Sequence, residues 1–385
     1  MTAPLSALPA FSTRTRDLHA SPIREILAVV DRPGMISFAG GLPSGDSFPR
    51  LSLDTMPQNA LQYGPSEGER PLREWIAADL RTRGLDCTAD QVLIVSGSQQ
   101  GIDLVAKLFI DPQTPVAVES PTYLAALQVF RFFGARLLAY DAEAPDTASF
   151  VRETPAFAYV IPTFQNPSGR CLDAAQRAAL AASLDEARIP VFEDDPYRDL
   201  AYDPCERTPM CARLRRTPWI YQGSFSKSLA PGLRLGYLVA SPELLPFLTR
   251  LKQAADLHSN RVSQWVVLQQ LNDPARQARI DALVASYRVR RDAFEQALRR
   301  HFGDIATWRT PPGGLFFWLT LKQRIDTRTL LPKAIAANVA FMPGEPFLPY
   351  EVEACGQLRL NFSHATAEQA DVGLERLAAL VRSAS

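Results

Sequence analysis

The sequence predicts an α/β protein in which a mostly parallel sheet carries helices on both faces and is followed by a smaller α+β unit. Three observations support this. From Gln91 onward, apolar runs of strand length alternate with longer amphipathic stretches at helical spacing. Polar, chemistry-bearing residues (Ser98, Asn166, Asp194 and Ser224–Lys227) recur just after predicted strands, where ligands collect in open α/β sheets. Beyond His301 the rhythm changes to isolated strands between helices. A chain of 385 residues is also too long for one small core.

The elements follow in order. Gln91–Ser96 is an apolar run ending at Gly97, and Ser98-Gln99-Gln100 opens an amphipathic helix through Phe109. Val116-Ala117-Val118 is a short buried strand, Thr122–Phe133 a helix and Arg136–Tyr140 a strand. Phe157–Ile161 is an apolar strand stopped by Pro162, and Ala174–Ala187 an alanine-rich helix. Pro190-Val191-Phe192 leads into the acidic pair Asp194-Asp195. Trp219–Gln222 and Leu235–Ala240 are further strands. Ala275–His301 carries a long, arginine-rich helical pattern that leads out of the sheet. Gly314–Leu321 and Gln357–Phe362 alternate like strands, and Thr327–Ala337 and Ala367–Arg382 have helical spacing. The pattern divides the chain into an N-terminal segment (1–45), a large domain (46–285) and a C-terminal small domain (286–385).

Composition narrows the function. Lys+Arg and Asp+Glu are both 41, so no basic excess is present to displace counterions from a nucleic acid. The five cysteines are scattered without a C-x-x-C pair, and the four histidines are too separated to suggest a metal site. We expect reduced thiols, a cytoplasmic protein, no metal and no membrane span.

The chemistry concentrates around Ser224-Phe225-Ser226-Lys227 and Arg234. A lysine in a half-dry pocket loses its proton readily and becomes an imine-forming nucleophile. Hydroxyls and a guanidinium beside it suit a phosphate. Together they suggest pyridoxal 5'-phosphate (PLP), although the motif alone also reads as a surface lysine in a basic loop. Asn166-Pro167-Ser168-Gly169 alone reads as a turn, and Ser98 as a helix cap.

The order and spacing of several motifs is more specific. They are Ser21-Pro22-Ile23-Arg24, Ile36–Pro43, Gln62-Tyr63-Gly64-Pro65, Ser96–Gly101, Pro121-Thr122-Tyr123, Gln165–Gly169, Glu193–Tyr197, Gly223–Lys227 with Arg234, and Leu358–Ser363. With them the chain resembles the fold-type-I PLP-dependent aminotransferases (class I/II), most closely the 2-aminoadipate/kynurenine aminotransferase-like group, from about Ser21 to Ser363. The resemblance implies an aspartate-aminotransferase-like fold with a seven-stranded sheet in the large domain. It also implies a homodimer with a shared active site.

The resemblance implies roles residue by residue. Lys227 holds the cofactor and later shuttles the proton between Cα and C4′. Asp194 faces the pyridine nitrogen, and Asp195 is the less suited of the pair. Tyr197 and Asn166 contact O3′, and Tyr123 stacks on the ring. Ser98, Gln99, Ser224, Ser226 and Arg234 receive the phosphate, joined by Tyr63 from the neighbouring subunit. Arg359 and Asn166 take the substrate carboxylate, while Gly41 and Arg24 lie on the substrate side. A charge at Arg359, within an apolar strand, calls for an anionic partner, unless alternation turns it to solvent. Leu257–Arg261 is either a substrate-reading loop or a plain interhelical turn, and Phe316, Phe317 and Trp318 are expected to pack the small domain. The implied reaction is ping-pong transfer of the amino group of an L-amino acid (2-aminoadipate, aromatic, branched or similar) to a 2-oxo acid such as 2-oxoglutarate. The alternative is another PLP outcome: racemase, lyase or biosynthetic cyclase.

Overall fold

The computed structural model of the chain describes residues 11–15 and 32–384. A short strand β1 (Ile36–Ser37) precedes helix α1 (Arg70–Thr82). The chain then alternates through β2 (Val92–Val95), α2 (Ser98–Phe109), β3 (Pro115–Glu119), α3 (Leu124–Phe132), β4 (Arg136–Tyr140), α4 (Thr147–Glu153), β5 (Ala158–Val160) and α5 (Ala174–Ala187). Strands β6 (Val191–Asp194), β7 (Trp219–Ser224) and β8 (Gly236–Ala240) lead to α6 (Leu245–Asp256), α7 (Arg261–Asn272) and α8 (Arg276–Phe302). The remainder is β9 (Ala306–Trp308), β10 (Phe316–Leu321), α9 (Thr327–Ala336), β11 (Val339–Ala340), β12 (Met342–Pro343), β13 (Gln357–Asn361) and α10 (Ala367–Ser383).

The first sheet has seven strands in the order β2-β8-β7-β6-β5-β3-β4. It is parallel except for β8, which runs against both β2 and β7. Its strands read as unbroken apolar runs because both faces are covered. Val92 and Ile94 join Leu72, Ile76 and Leu80 of α1 in one core, whereas Leu93 and Val95 join Ile102 and Val105 of α2 in another. Each such side chain, fully buried, stabilises the fold by about 1.5–3 kcal/mol.

The second sheet is antiparallel, in the order β12-β13-β10-β9. The N-terminal segment joins this unit: β1 pairs with β11, and the Phe38 carbonyl accepts from Asn361 N at 2.8 Å. Helix α8, about 40 Å long at 1.5 Å per residue, runs between the two sheets. Its buried Arg291 binds Asp203, between β6 and β7, and the Pro311 carbonyl, between β9 and β10, which ties the helix to a connection of each sheet.

Candidate active site

Strands β5, β6 and β7 and the start of α2 end around a cavity of about 370 Å3. It is lined by Ser98, Gln99, Tyr123, Asn166, Asp194, Tyr197, Ser224, Ser226, Lys227 and Arg234, together with Leu42, Ile161, Pro196 and Pro231. Separate loops thus deliver every sequence-predicted cofactor contact except Tyr63 to one place. Gly41 and Arg359 join by hydrogen bonds. Tyr63 lies outside this lining, 75 % exposed, with its ring edge-on to His258. Arg24 falls outside the described residues.

Lys227 follows β7, and its Nζ donates to the Gly41 carbonyl at 2.6 Å. Burial and, secondarily, the positive charges of Arg359 and Arg234 lower its pKa to about 8. A substantial neutral fraction therefore exists near neutral pH, as a nucleophilic amine requires.

Asp194 ends β6 and is 3 % exposed. Tyr159 donates to its Oδ2 at 2.7 Å and Gln222 Nε2 to its Oδ1 at 2.8 Å. Burial raises its pKa to about 6, and the two donors work against that rise. Asp195 faces elsewhere: its Oδ2 accepts from Tyr221 at 2.9 Å and from Arg198 at 3.1 Å. Sequence reasoning does not single out Tyr159 and Gln222. Their signal is a polar atom in an otherwise apolar strand, which needs a buried partner.

Arg359, in β13, is 2 % exposed, because both faces of this strand are covered. Alternation therefore does not turn it to solvent. Its NH1 donates to Asn166 Oδ1 at 2.9 Å and its NH2 to the Ala39 carbonyl at 2.6 Å, while Nε is buried without a partner. Its guanidinium lies 4.2 Å from the centre of the Phe316 ring and 5.1 Å from that of Phe347. Phe316 packs the small-domain core as expected, but it also meets Arg359 and stands edge-on to Tyr197, so it belongs to the site's wall. Burial lowers the Arg359 pKa to about 10, and among the described residues no carboxylate forms an ion pair with Arg359. Asn166 also reaches the Tyr197 hydroxyl, whose pKa burial pushes up.

The opposite end of the cavity is more open. Gly97 has φ +82°, and a Cβ there would strike the Arg234 guanidinium, so glycine lets Arg234 lie against the start of α2. At Gly101 a Cβ would strike Gln222 Oε1, so this glycine lets α2 approach β7 closely. The start of α2 at Ser98 and Gln99, the hydroxyls of Ser224 and Ser226, and Arg234 form an anion-binding cup. Asp194, the Lys227 amine and this cup form a donor and acceptor set that fits PLP.

Leu257–Asn260 is the turn between α6 and α7, and Arg261 points away from the cavity. Arg261 binds Glu69 Oε1 at 2.6 Å and the carbonyls of Gln62 and Tyr63 at 3.0 and 3.2 Å, so this segment holds the Tyr63 loop. Among the described residues, no helix is long and apolar enough to cross a membrane.

Comparison with known proteins agrees with this architecture. Residues 35–377 match the family Aminotransferase class I and II. A 2-aminoadipate transaminase of Thermus thermophilus is 38% identical, covering 97% of each chain. An aromatic-amino-acid aminotransferase of Thermococcus litoralis is 34% identical over 97% of this chain and 94% of its own. A solved alpha-aminoadipate aminotransferase of Thermus thermophilus, complexed with N-(5'-phosphopyridoxyl)-L-leucine, superposes with TM-score 0.87 at 36% identity, covering 97% of each chain. The chain belongs to the class I and II aminotransferases and has the fold-type-I, aspartate-aminotransferase-like architecture. It is a PLP-dependent transaminase that acts on amino acids and 2-oxo acids, and the racemase, lyase and cyclase readings are not favoured.

Proposed function

We propose that the enzyme transfers the amino group of 2-aminoadipate, or of an aromatic or branched L-amino acid, to 2-oxoglutarate, with the residue roles given below. The observation that carries this reading is the buried Arg359, bonded to Asn166 of the cavity lining and without an ion-paired carboxylate among the described residues. The names of the relatives support the substrate range.

When bound, PLP supplies an electrophilic carbon for the amino group and a ring that takes up the electrons released from Cα. Lys227 would hold the cofactor and would carry the proton between the substrate Cα and C4′. Asp194, fixed by Tyr159 and Gln222, would hold a proton at the ring nitrogen, and a cationic ring beside it would favour its carboxylate form against the effect of burial. Tyr197 and Asn166 would donate to O3′, and Tyr123 would pack against the ring. Ser98, Gln99, Ser224, Ser226 and Arg234 would hold the phosphate. Arg359 and Asn166 would clamp the substrate carboxylate, which would favour breaking of the Cα–H bond over loss of the carboxylate.

Gly41 and Leu42 cover the substrate, and Arg24 contributes on the same side. The reading includes a cytoplasmic homodimer in which Tyr63 serves the phosphate of the neighbouring subunit. The exposure of Tyr63 and the anchoring of its loop by Arg261 support that role. It also keeps the division into residues 1–45, 46–285 and 286–385.

The test is the visible absorbance of the purified protein on addition of single amino acids without an oxo acid. Conversion of bound cofactor to its amine form, restored by 2-oxoglutarate, identifies the substrate. A band that never converts with any of these amino acids overturns the substrate assignment. A borohydride-reducible band in Lys227→Ala overturns the role of Lys227.

A further inference from the structure

Within the motif Ser96–Gly101, Ser98 and Gln99 line the cavity, whereas Gln100 is not part of its lining. The Gln100 side chain is nevertheless bonded at both ends. Its Oε1 accepts the Ser96 N–H at 2.8 Å, and its Nε2 donates to Asp256 Oδ2 at 2.8 Å. The same Oδ2 accepts from the Ser96 hydroxyl at 3.1 Å. Ser96 and Gln100 flank Gly97-Ser98-Gln99 in the chain, so these bonds close the turn from both of its ends.

The turn needs such a closure. It joins β2 to α2 through Gly97, the N-cap of the helix, which has φ +82° and no side chain to bond the first helical turn. A Ser or Asp at the cap would fix the turn from within, but its oxygen would take N–H groups that an anion needs. Holding Ser96 through Gln100 fixes the backbone without placing an oxygen at the cap.

Gln100 is held in its turn. Asp256 ends α6, and the fully buried Lys252, one helical turn earlier, donates to its Oδ1 at 2.5 Å. The carboxylate is therefore paired and does not stand as a lone negative charge beside an anion site. Ser259, buried in the turn after α6, has its Oγ 3.3 Å from the Ser96 Oγ and donates to the Ile94 carbonyl of β2 at 3.2 Å. The end of α6 is thus fixed to the end of β2, and Gln100 carries that constraint to the start of α2.

We infer that Gln100, clamped by Asp256, is a positioning residue for the cofactor phosphate, setting the turn that presents Ser98 and Gln99, a role that rests on the phosphate reading proposed above. An amide suits the position because it supplies the acceptor for Ser96 N and the donor for Asp256 at once. A glutamate would offer no donor to the Asp256 carboxylate, and an apolar side chain would offer neither bond.

The experiment removes the cofactor and titrates the apoprotein with PLP and, separately, with pyridoxal, which has the same ring and aldehyde but no phosphate, following visible absorbance. In Gln100→Met the dissociation constant for PLP should rise about tenfold, the scale of lost hydrogen bonds, while that for pyridoxal stays within about twofold of wild type. Should this variant fail to fold, Ser96→Ala, which removes only the hydroxyl contacts, should raise the PLP constant about threefold with pyridoxal again unmoved. The proposal is overturned if the folded variant, checked by its thermal melt, weakens PLP and pyridoxal equally or weakens neither. A wild-type protein that binds pyridoxal as tightly as PLP overturns the phosphate reading itself, and that outcome is seen before any variant is made.

Discussion

The two ends of the cavity hold an arginine each, in opposite settings. Arg359 is 2 % exposed, flanked by Phe316 and Phe347, and held by Asn166 and the Ala39 carbonyl. Arg234 is exposed, contacts the Pro231 carbonyl at 3.4 Å and shares its work with hydroxyls and helix N–H groups. A charge acting alone in a dry site is worth more than one acting in company beside water. On the proposed reading, the difference teaches that the substrate end relies on one buried charge, whereas the phosphate end spreads its hold over many groups.

The largest expected effect lies between the two ends. Asp194→Asn should lower kcat by about 10³-fold in single-turnover kinetics while the protein still binds cofactor, since electron uptake at the ring fails. Equal loss with Asp195→Asn would break the distinction between the paired carboxylates. Next, Arg359→Gln should reduce kcat/KM by ~100-fold for every amino acid alike, the scale of truncating a buried, hydrogen-bonded charge. A loss confined to one amino acid would reassign Arg359 to a side chain. Arg234→Gln should weaken cofactor affinity only about tenfold, measured by equilibrium titration, and leave kcat nearly unchanged at saturating cofactor.

The smallest effect concerns pH. Folding lowers the Lys227 pKa from 10.5 to about 8, so between these values the unfolded chain binds more protons. The Lys227 contribution to cofactor-free stability therefore rises with pH across that window, and its cost is fully present below about 8. Cofactor capture needs the neutral amine and should rise with pH to a plateau above about 8, followed by absorbance in stopped flow. Both arginines depress this pKa, Arg359 the more strongly, so Arg359→Gln should move the midpoint upward further than Arg234→Gln.

Much of this was legible in the sequence. The strands of the first sheet stand out because runs such as Val92–Val95 are apolar at every position, the mark of strands covered on both faces. The gathering of Ser98, Gln99, Ser224 and Ser226 at one cavity was legible because they stand at or just after the ends of such runs, whereas Arg234 comes before one. The supporting layer was not. Tyr159 and Gln222 belong to strands by pattern, and only the pairing of β5, β6 and β7 brings their polar ends to Asp194. Phe316 was assigned to packing because an apolar strand residue gives no sign that a guanidinium will lie on its ring.

The stretch Ala39–Leu42 takes a hydrogen bond from Arg359 at Ala39, from Lys227 at Gly41 and from Ser363 at Leu42. The carbonyls of Ala39 and Gly41 thus occupy donors that, on the proposed reading, a carboxylate and a cofactor would also claim. Loading the site is consequently an exchange of partners rather than an addition of them, and the affinity for either guest is the difference between two nearly matched sets of contacts. On that reading tight binding depends on how readily this four-residue placeholder withdraws, which makes its backbone contacts a control on how well a guest is held.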